Sequence, residues 1–242
     1  MERNKSIGII LERRRMPDFY GQEEADREMP PVDRRHLRYA GELAGDWEYV
    51  RENVYPVLVP AGSRRLDGMV HTLLLDLAVV YAIHMESADG EKMTAWIGKH
   101  FLDRHGADRK ELHRHALKNL EKDGYVFRKL EAALLGIPGI SIEDGGPGKV
   151  RLYVLTNRDG WYGAAGLLAK EALRQFAGGC DYYILPSSIH ELIFAPASDV
   201  KDAGELDRTV EEISRTVVAE KDRLSFHSYF YDAFFDEVRL CR

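Results

Sequence analysis

The chain has 242 residues, 45% of them hydrophobic, enough to bury a sizeable core in one large domain or one domain with an appendage. Its net charge of -6 at pH 7 gives no overall basic field, so neither nucleic acid nor a membrane surface is expected as a partner. No run approaches the ~20 apolar residues that span a bilayer, and Cys180 and Cys241, in no CxxC or disulfide-rich spacing, read as free thiols of a reducing cytoplasm.

Residues 1–38 carry dense charge of both signs and several prolines, and read as a charged, loosely ordered extension. The apolar run from Ile7 to Leu11 is too short for a signal peptide's hydrophobic region. In "DWEYVRENVYPVLV", Trp47, Val50, Val54 and Leu58 recur at helix-like spacing until Pro56 and Pro60, which predicts a helix ending near Tyr55. The runs "LLLDLAVVYAIHM" and "KMTAWIG" flank an Asp89-Gly90 turn signal and predict an antiparallel hairpin. Asp108 and Glu111 form a capping box ahead of Leu112, Ala116 and Leu120, one stripe of a helix ending near Gly124. A second helix is expected from Val126 to Leu135. The Gly/Pro-rich residues 137–149 then connect two halves, 39–136 and 150–242, expected to pack as one domain.

In the second half "KVRLYVLTN" reads as a strand, and "GWYGAAGLLAKEALRQFAGG" as a helix stopped by Gly178 and Gly179. "DYYIL" and "SIHELIFAP" read as two strands joined at Pro186. Asp202 and Glu205 open a last helix, with Leu206, Val210, Ile213 and Val217 on one face. The order β-α-β-β-α indicates an α+β fold, a mixed but mostly antiparallel sheet with helices packed on one face.

Four clusters are candidates for chemistry. In "DYYILPSSIHELIFAPA", strand residues two apart lie about 6.5–7 Å from each other on one face, so Ser188 and His190 can approach while Ser187 and Glu191 point away. A Ser-His pair is conceivable there. A hydrolase would also need an oxyanion hole and a carboxylate, such as Glu191 or Asp76, brought in from elsewhere, and the G-x-S-x-G elbow is absent. In the other reading Pro186 and the serines make a turn or bulge whose hydroxyls satisfy unpaired backbone groups.

In "HFLDRHGADRKELHRH", His113 and His115 lie roughly 200° apart around a helix and cannot chelate one ion. Glu111 with His115, or His100 with Asp103, has usable spacing, but HExxH is missing and the flanking Arg and Lys residues indicate a solvated face, so no metal is assigned. In "TNRDGWYG", Asn157 and Asp159 precede a helix N-terminus that could hold a small anionic ligand, or they cap it themselves. GxGxxG and GxxxxGK[ST] are absent, so no nucleotide cofactor is assigned. The C-terminal "LSFHSYFYDAFFDEV" concentrates Phe226, Tyr229, Phe230, Tyr231, Phe234 and Phe235, which must pack on the domain, on a protein partner or in a homodimer.

The segments "YVLTN" from Tyr153, "GAA" from Gly163, "DYYILPSSIHE" from Asp181 and "LSFHSYFYD" from Leu224 resemble, in order and spacing, a bacterial family catalogued as domain of unknown function 5688. The likeness extends through "LDLAVVYAI" from Leu75 and "HFLDRHGADRKELHRHALKN" from His100, while the charged N-terminus departs from the family's longer leading region. The resemblance implies a cytoplasmic bacterial protein and brings no reaction, cofactor or partner with it. The expectation is an interaction or ligand-binding module with no committed catalytic motif; the alternative is a hydrolase using Ser188 and His190.

Overall fold

A computed structural model of the protein describes residues 2–4, 9–13, 42–43, 45–86, 92–130, 150–216 and 218–241. The charged N-terminal segment contains two strands, β1 (Glu2–Asn4) and β2 (Ile9–Arg13), where a loose extension was expected. The short apolar run explains this: Ile9, Ile10 and Leu11 pair across from Ile97, Trp96 and Ala95. The remainder of residues 1–38 lies outside the described residues, apart from Glu2–Asn4 and Ile9–Arg13.

Asp46 caps α1 (Trp47–Asn53) by accepting the Glu48 amide at 3.0 Å. The helix stops two residues before Tyr55, and the chain runs straight into β3 (Val54–Pro60). Pro56 and Pro60 are accommodated because β3 ends the strand order of its sheet, where a missing N–H need not break a ladder. Strands β4 (His71–Leu74), β5 (Leu77–Glu86) and β6 (Lys92–Ile97) follow. β5 and β6 form the expected antiparallel hairpin, and its Asp89-Gly90 turn lies outside the described residues.

Next come α2 (Lys99–His105) and α3 (Arg109–Asp123), the latter capped by Asp108, which accepts the Glu111 amide at 2.7 Å. Leu112, Ala116 and Leu120 are buried along α3 as the stripe predicts. Asn119, on the same face, donates to the carbonyls of Arg51 and Val54 at 3.0 Å each, which satisfies backbone groups left open where α1 gives way to β3.

Of the helix predicted from Val126 to Leu135, residues 126–129 belong instead to β7 (Tyr125–Lys129), paired antiparallel with β8 (Tyr153–Asn157); Leu130 is helical, and residues 131–135 lie outside the described residues. Tyr125, Val126 and Phe127 favour a pleated surface, which the pairing with β8 completes. Residues 131–149, with the Gly/Pro-rich connection, lie outside the described residues. A 3-10 turn over Gly163–Leu168 leads into α4 (Lys170–Ala177), so one expected helix is two pieces. Strands β9 (Tyr182–Ser188) and β10 (Glu191–Pro196) form a hairpin, and α5 (Ala203–Thr216) precedes β11 (Tyr229–Asp232) and β12 (Glu237–Leu240).

The first sheet runs β1-β2-β6-β5-β3, with β4 also on β5; the second runs β12-β11-β9-β10-β8-β7. The α+β class holds, with two six-stranded sheets where one was expected. The chain divides into two compact units: residues 1–57, 61–74 and 78–122, and residues 58–60, 75–77 and 123–242. The division falls after Lys122 rather than at residues 137–149. In the first unit Tyr81, Met93, Trp96 and Phe101 are fully buried.

In the second unit, strand alternation sorts side chains onto two faces. Leu185 and Ala195 pack with Val210 and Leu206 of α5 on one face. On the other, Phe127, Tyr153, Tyr182 and Phe194 surround Phe176 of α4. This sheet therefore carries a helix on each face, a refinement of the expected single layer. The side chain of Ile213 and all of Val217 lie outside the described residues. No helix among the described residues is long and apolar enough to cross a membrane.

Candidate functional site

The polar corner at Ser187–Glu191 is where the sequence concentrates chemistry. The strand does not break at Pro186. It continues to Ser188, and the turn is Ile189–His190. Pro186 fits because β11 pairs with β9 only from Tyr182 to Ile184, so at Pro186 one side of β9 is open. His190 is consequently a turn residue, and strand parity does not bring it to Ser188.

Both hydroxyls take part in the turn. Ser188 Oγ accepts the backbone N–H of His190 at 3.0 Å. Ser187 Oγ donates toward Glu191, with the carbonyl oxygen at 3.1 Å and Oε1 at 3.0 Å. Burial pushes the Glu191 carboxyl above its ordinary value, with the Ser187 hydrogen bond opposing the shift.

The His190 ring is only 4% exposed. Its Nδ1 accepts the N–H of Tyr162 at 3.2 Å, which leaves Nε2 as the ring's donor, 3.6 Å from Asp222 Oδ1. Trp161 meets the ring edge-on at 5.2 Å between centroids. No hydrogen bond joins this ring to a serine hydroxyl among the described residues.

Three segments hold the corner in place. From β8, Thr156 donates to the His190 carbonyl at 2.9 Å; from the 3-10 turn Glu220–Asp222, the Asp222 carbonyl accepts the Ile189 amide at 2.9 Å; and the Ala164 amide reaches the Ile189 carbonyl at 3.4 Å. Gly163 fits between these: a Cβ there would lie 2.5 Å from the His190 carbonyl oxygen and 2.7 Å from the Asn157 amide nitrogen, and closer still to Thr156 Oγ1. Asn157 closes its own loop, accepting the Trp161 amide at 3.0 Å and donating to the Trp161 carbonyl. Asp159 is exposed in the turn beyond it. Asn157 thus binds the Trp161 backbone and does not cap the element that follows, a 3-10 turn whose N-cap residue, Tyr162, makes no side-chain cap bond.

Asp76, the other carboxylate considered for the corner, is engaged elsewhere in the second unit. Its Oδ2 accepts Ser225 Oγ at 2.6 Å and its Oδ1 accepts the Tyr229 hydroxyl at 2.7 Å. Tyr229 is fully buried, and burial holds its phenol well above the ordinary range. In the first unit, His113 Nδ1 meets the Tyr81 hydroxyl at 3.0 Å, while His115 packs edge-on against Trp47. His100 and Asp103 stand 4.0 Å apart on the surface. No group of three or more His, Cys, Asp or Glu residues able to hold a metal occurs among the described residues.

The aromatic C-terminus divides its side chains. Tyr229 and Tyr231 are core, whereas Phe234 and Phe235 are 87% and 66% exposed on the four-residue turn between β11 and β12. That turn is nonetheless tied down. Asp232 Oδ1 accepts the amides of Phe234 and Phe235 at 3.1 Å each, and Asp181 Oδ1 accepts the Ala233 amide at 2.8 Å. Asp236, at φ 54°, accepts the Tyr231 hydroxyl at 2.7 Å and Arg174 Nη2 at 2.6 Å. The Arg174 hydrogen bond holds the Asp236 carboxyl below its usual range, and burial, with the Asp236 contact adding to it, has the Tyr231 phenol pushed up to about 12. At the root, Asp207 Oδ1 accepts both the amide and the hydroxyl of Ser228, at 2.7 and 2.6 Å.

Sequence reading missed Tyr162, Thr156 and Asp222 as partners of His190, because they come from three separate segments with no shared local pattern. These motifs, in this order, place the protein in a family: residues 33–233 match the Family of unknown function (DUF5688), and the chain belongs to it. No curated protein and no solved structure matches it.

Proposed function

We propose that this chain is an interaction module whose contact surface is the tip of the β11–β12 hairpin, and that the Ser187–Glu191 corner is part of its frame. The observation that carries this is the pair Phe234 and Phe235, exposed on a turn whose backbone is held by Asp232 and Asp181. Burying a phenylalanine stabilises by about 1.5–3 kcal/mol, so two adjacent exposed rings forgo a gain that contact with a partner would recover. A turn already ordered loses little entropy on contact.

The hydrolase reading has less support. A nucleophilic serine must donate to its imidazole, yet no hydrogen bond joins a serine hydroxyl to the His190 ring among the described residues, and His190 Nδ1 already accepts the Tyr162 amide. A bacterial, cytoplasmic setting belongs to the same reading and is supported by the two free cysteines.

The test is photo-cross-linking with p-benzoylphenylalanine at position 234, in purified protein and in lysate of the producing cells, against a control at the exposed Lys201. The expected result is a discrete covalent product from position 234 only, lost when Phe235 is also changed to serine. Equal product from both positions would overturn the reading.

A further inference from the structure

β12 ends the second sheet, and among the described residues no strand pairs with its outer edge. Its register with β11 places Tyr229 opposite Leu240 and Tyr231 opposite Val238, and one pair further Cys241 donates its amide to Ser228 O at 3.0 Å. Peptide groups alternate in direction along an antiparallel ladder. Glu237, Arg239 and Cys241 therefore turn theirs toward β11, and Val238 and Leu240 turn theirs outward. An outward row of unpaired donors and acceptors is a template for another strand.

Building on the hairpin-tip reading, we propose that the strand it accepts is β12 of a second copy of this chain, antiparallel about a two-fold axis at Val238. The argument is charge and parity. Glu237 and Arg239 are both exposed on the face shared with Phe230, over whose ring Arg239 sits at 4.9 Å from the centroid. Glu237 lies opposite another carboxylate, Asp232, which Arg239 Nη2 meets at 3.7 Å, while Glu237 itself has no cationic partner among the described residues.

A two-fold between antiparallel strands must pass through a pair of identical residues, because peptide direction alternates residue by residue. That leaves few registers. Centring on Glu237 opposes two carboxylates, and centring on Arg239 opposes two guanidinium groups. Centring on Leu240 leaves Glu237 unpaired and sets Arg239 against Cys241. Centring on Val238 alone sets Glu237 opposite Arg239 of the partner subunit, twice, and joins the two Val238 residues by their outward peptide groups. The same register brings Phe235 alongside Cys241 of the partner subunit, so the exposed aromatic pair flanks the joint.

A four-residue edge makes a weak dimer, so sedimentation equilibrium should run from about 1 μM to about 500 μM. Wild type is expected to associate with concentration, and Glu237→Arg or Arg239→Glu alone to weaken association tenfold or more. The double reversal restores it. Mixing the two single variants gives a heterodimer, since one edge then carries two cations and the other two carboxylates. Monomeric wild type throughout, or single reversals without effect, would overturn the proposal. If wild type is monomeric while position 234 cross-links a different polypeptide, the dimer fails and the hairpin-tip reading stands.

Discussion

Gly163→Ala is expected to destabilise the second unit by about 3 kcal/mol, a drop of roughly 6–12 °C in unfolding midpoint. The methyl group would meet backbone: the His190 carbonyl oxygen at 2.5 Å and the Asn157 amide nitrogen at 2.7 Å, with Thr156 Oγ1 closer still. Backbone cannot swing aside as a side-chain end can, so β8 and the Ile189–His190 turn must separate. Separation also stretches the Thr156 to His190 hydrogen bond, one of the links holding the corner. Gly62 is the control, with nothing within 4 Å of a Cβ and an ordinary φ, so Gly62→Ala should leave the midpoint unchanged. Differential scanning calorimetry of the two variants checks both statements.

His190→Ala is expected to cost about 3–4 kcal/mol, from the cavity left by a buried ring and from the orphaned donor beside it. The donor is the amide of Tyr162, whose residue sits at φ 54°, a conformation that a bulky L-residue adopts only when its surroundings hold it there. Removing the imidazole removes one of those holds. Amide hydrogen exchange should therefore rise first at Tyr162 and Ala164, the latter bonded to Ile189. Ser188→Ala, which removes one acceptor from a partly buried turn, should cost only about 1 kcal/mol.

The contrast between these variants mirrors what the amino-acid sequence could disclose. Local signals were legible where local chemistry decides: Asp46 and Asp108 cap their helices, and Leu112, Ala116 and Leu120 bury one stripe. The β5–β6 hairpin and the strands around Tyr153 and Phe194 follow from β-branched and aromatic content. Where a neighbouring strand decides, the reading failed. Residues 126–129 read as the start of a helix, and pairing with β8 settles them as a strand. Ile9–Arg13 is too short to announce itself amid charges, and pairing with β6 orders it.

The candidate site was legible as a cluster and not as a geometry. Ser187, Ser188, His190 and Glu191 do gather, but Pro186 looked like the corner because its tolerance depends on where β11 stops, a fact of the sheet and not of the segment. The residues that give His190 its role, Tyr162, Thr156 and Asp222, are each separated from it by more than twenty positions. The hairpin tip was visible as excess aromaticity. Which rings face out depends on strand alternation and on the turn, which bury Tyr229 and Tyr231 and leave Phe234 and Phe235 outside.

The central claim is that the corner is frame and the chain acts through its surface. Its most direct test is to incubate the folded protein with a fluorophosphonate, which labels only serines activated by a general base, and to read Ser187 and Ser188 by peptide mass spectrometry. The account predicts no adduct on either. An adduct on Ser188 that disappears in a folded His190→Gln variant would contradict it.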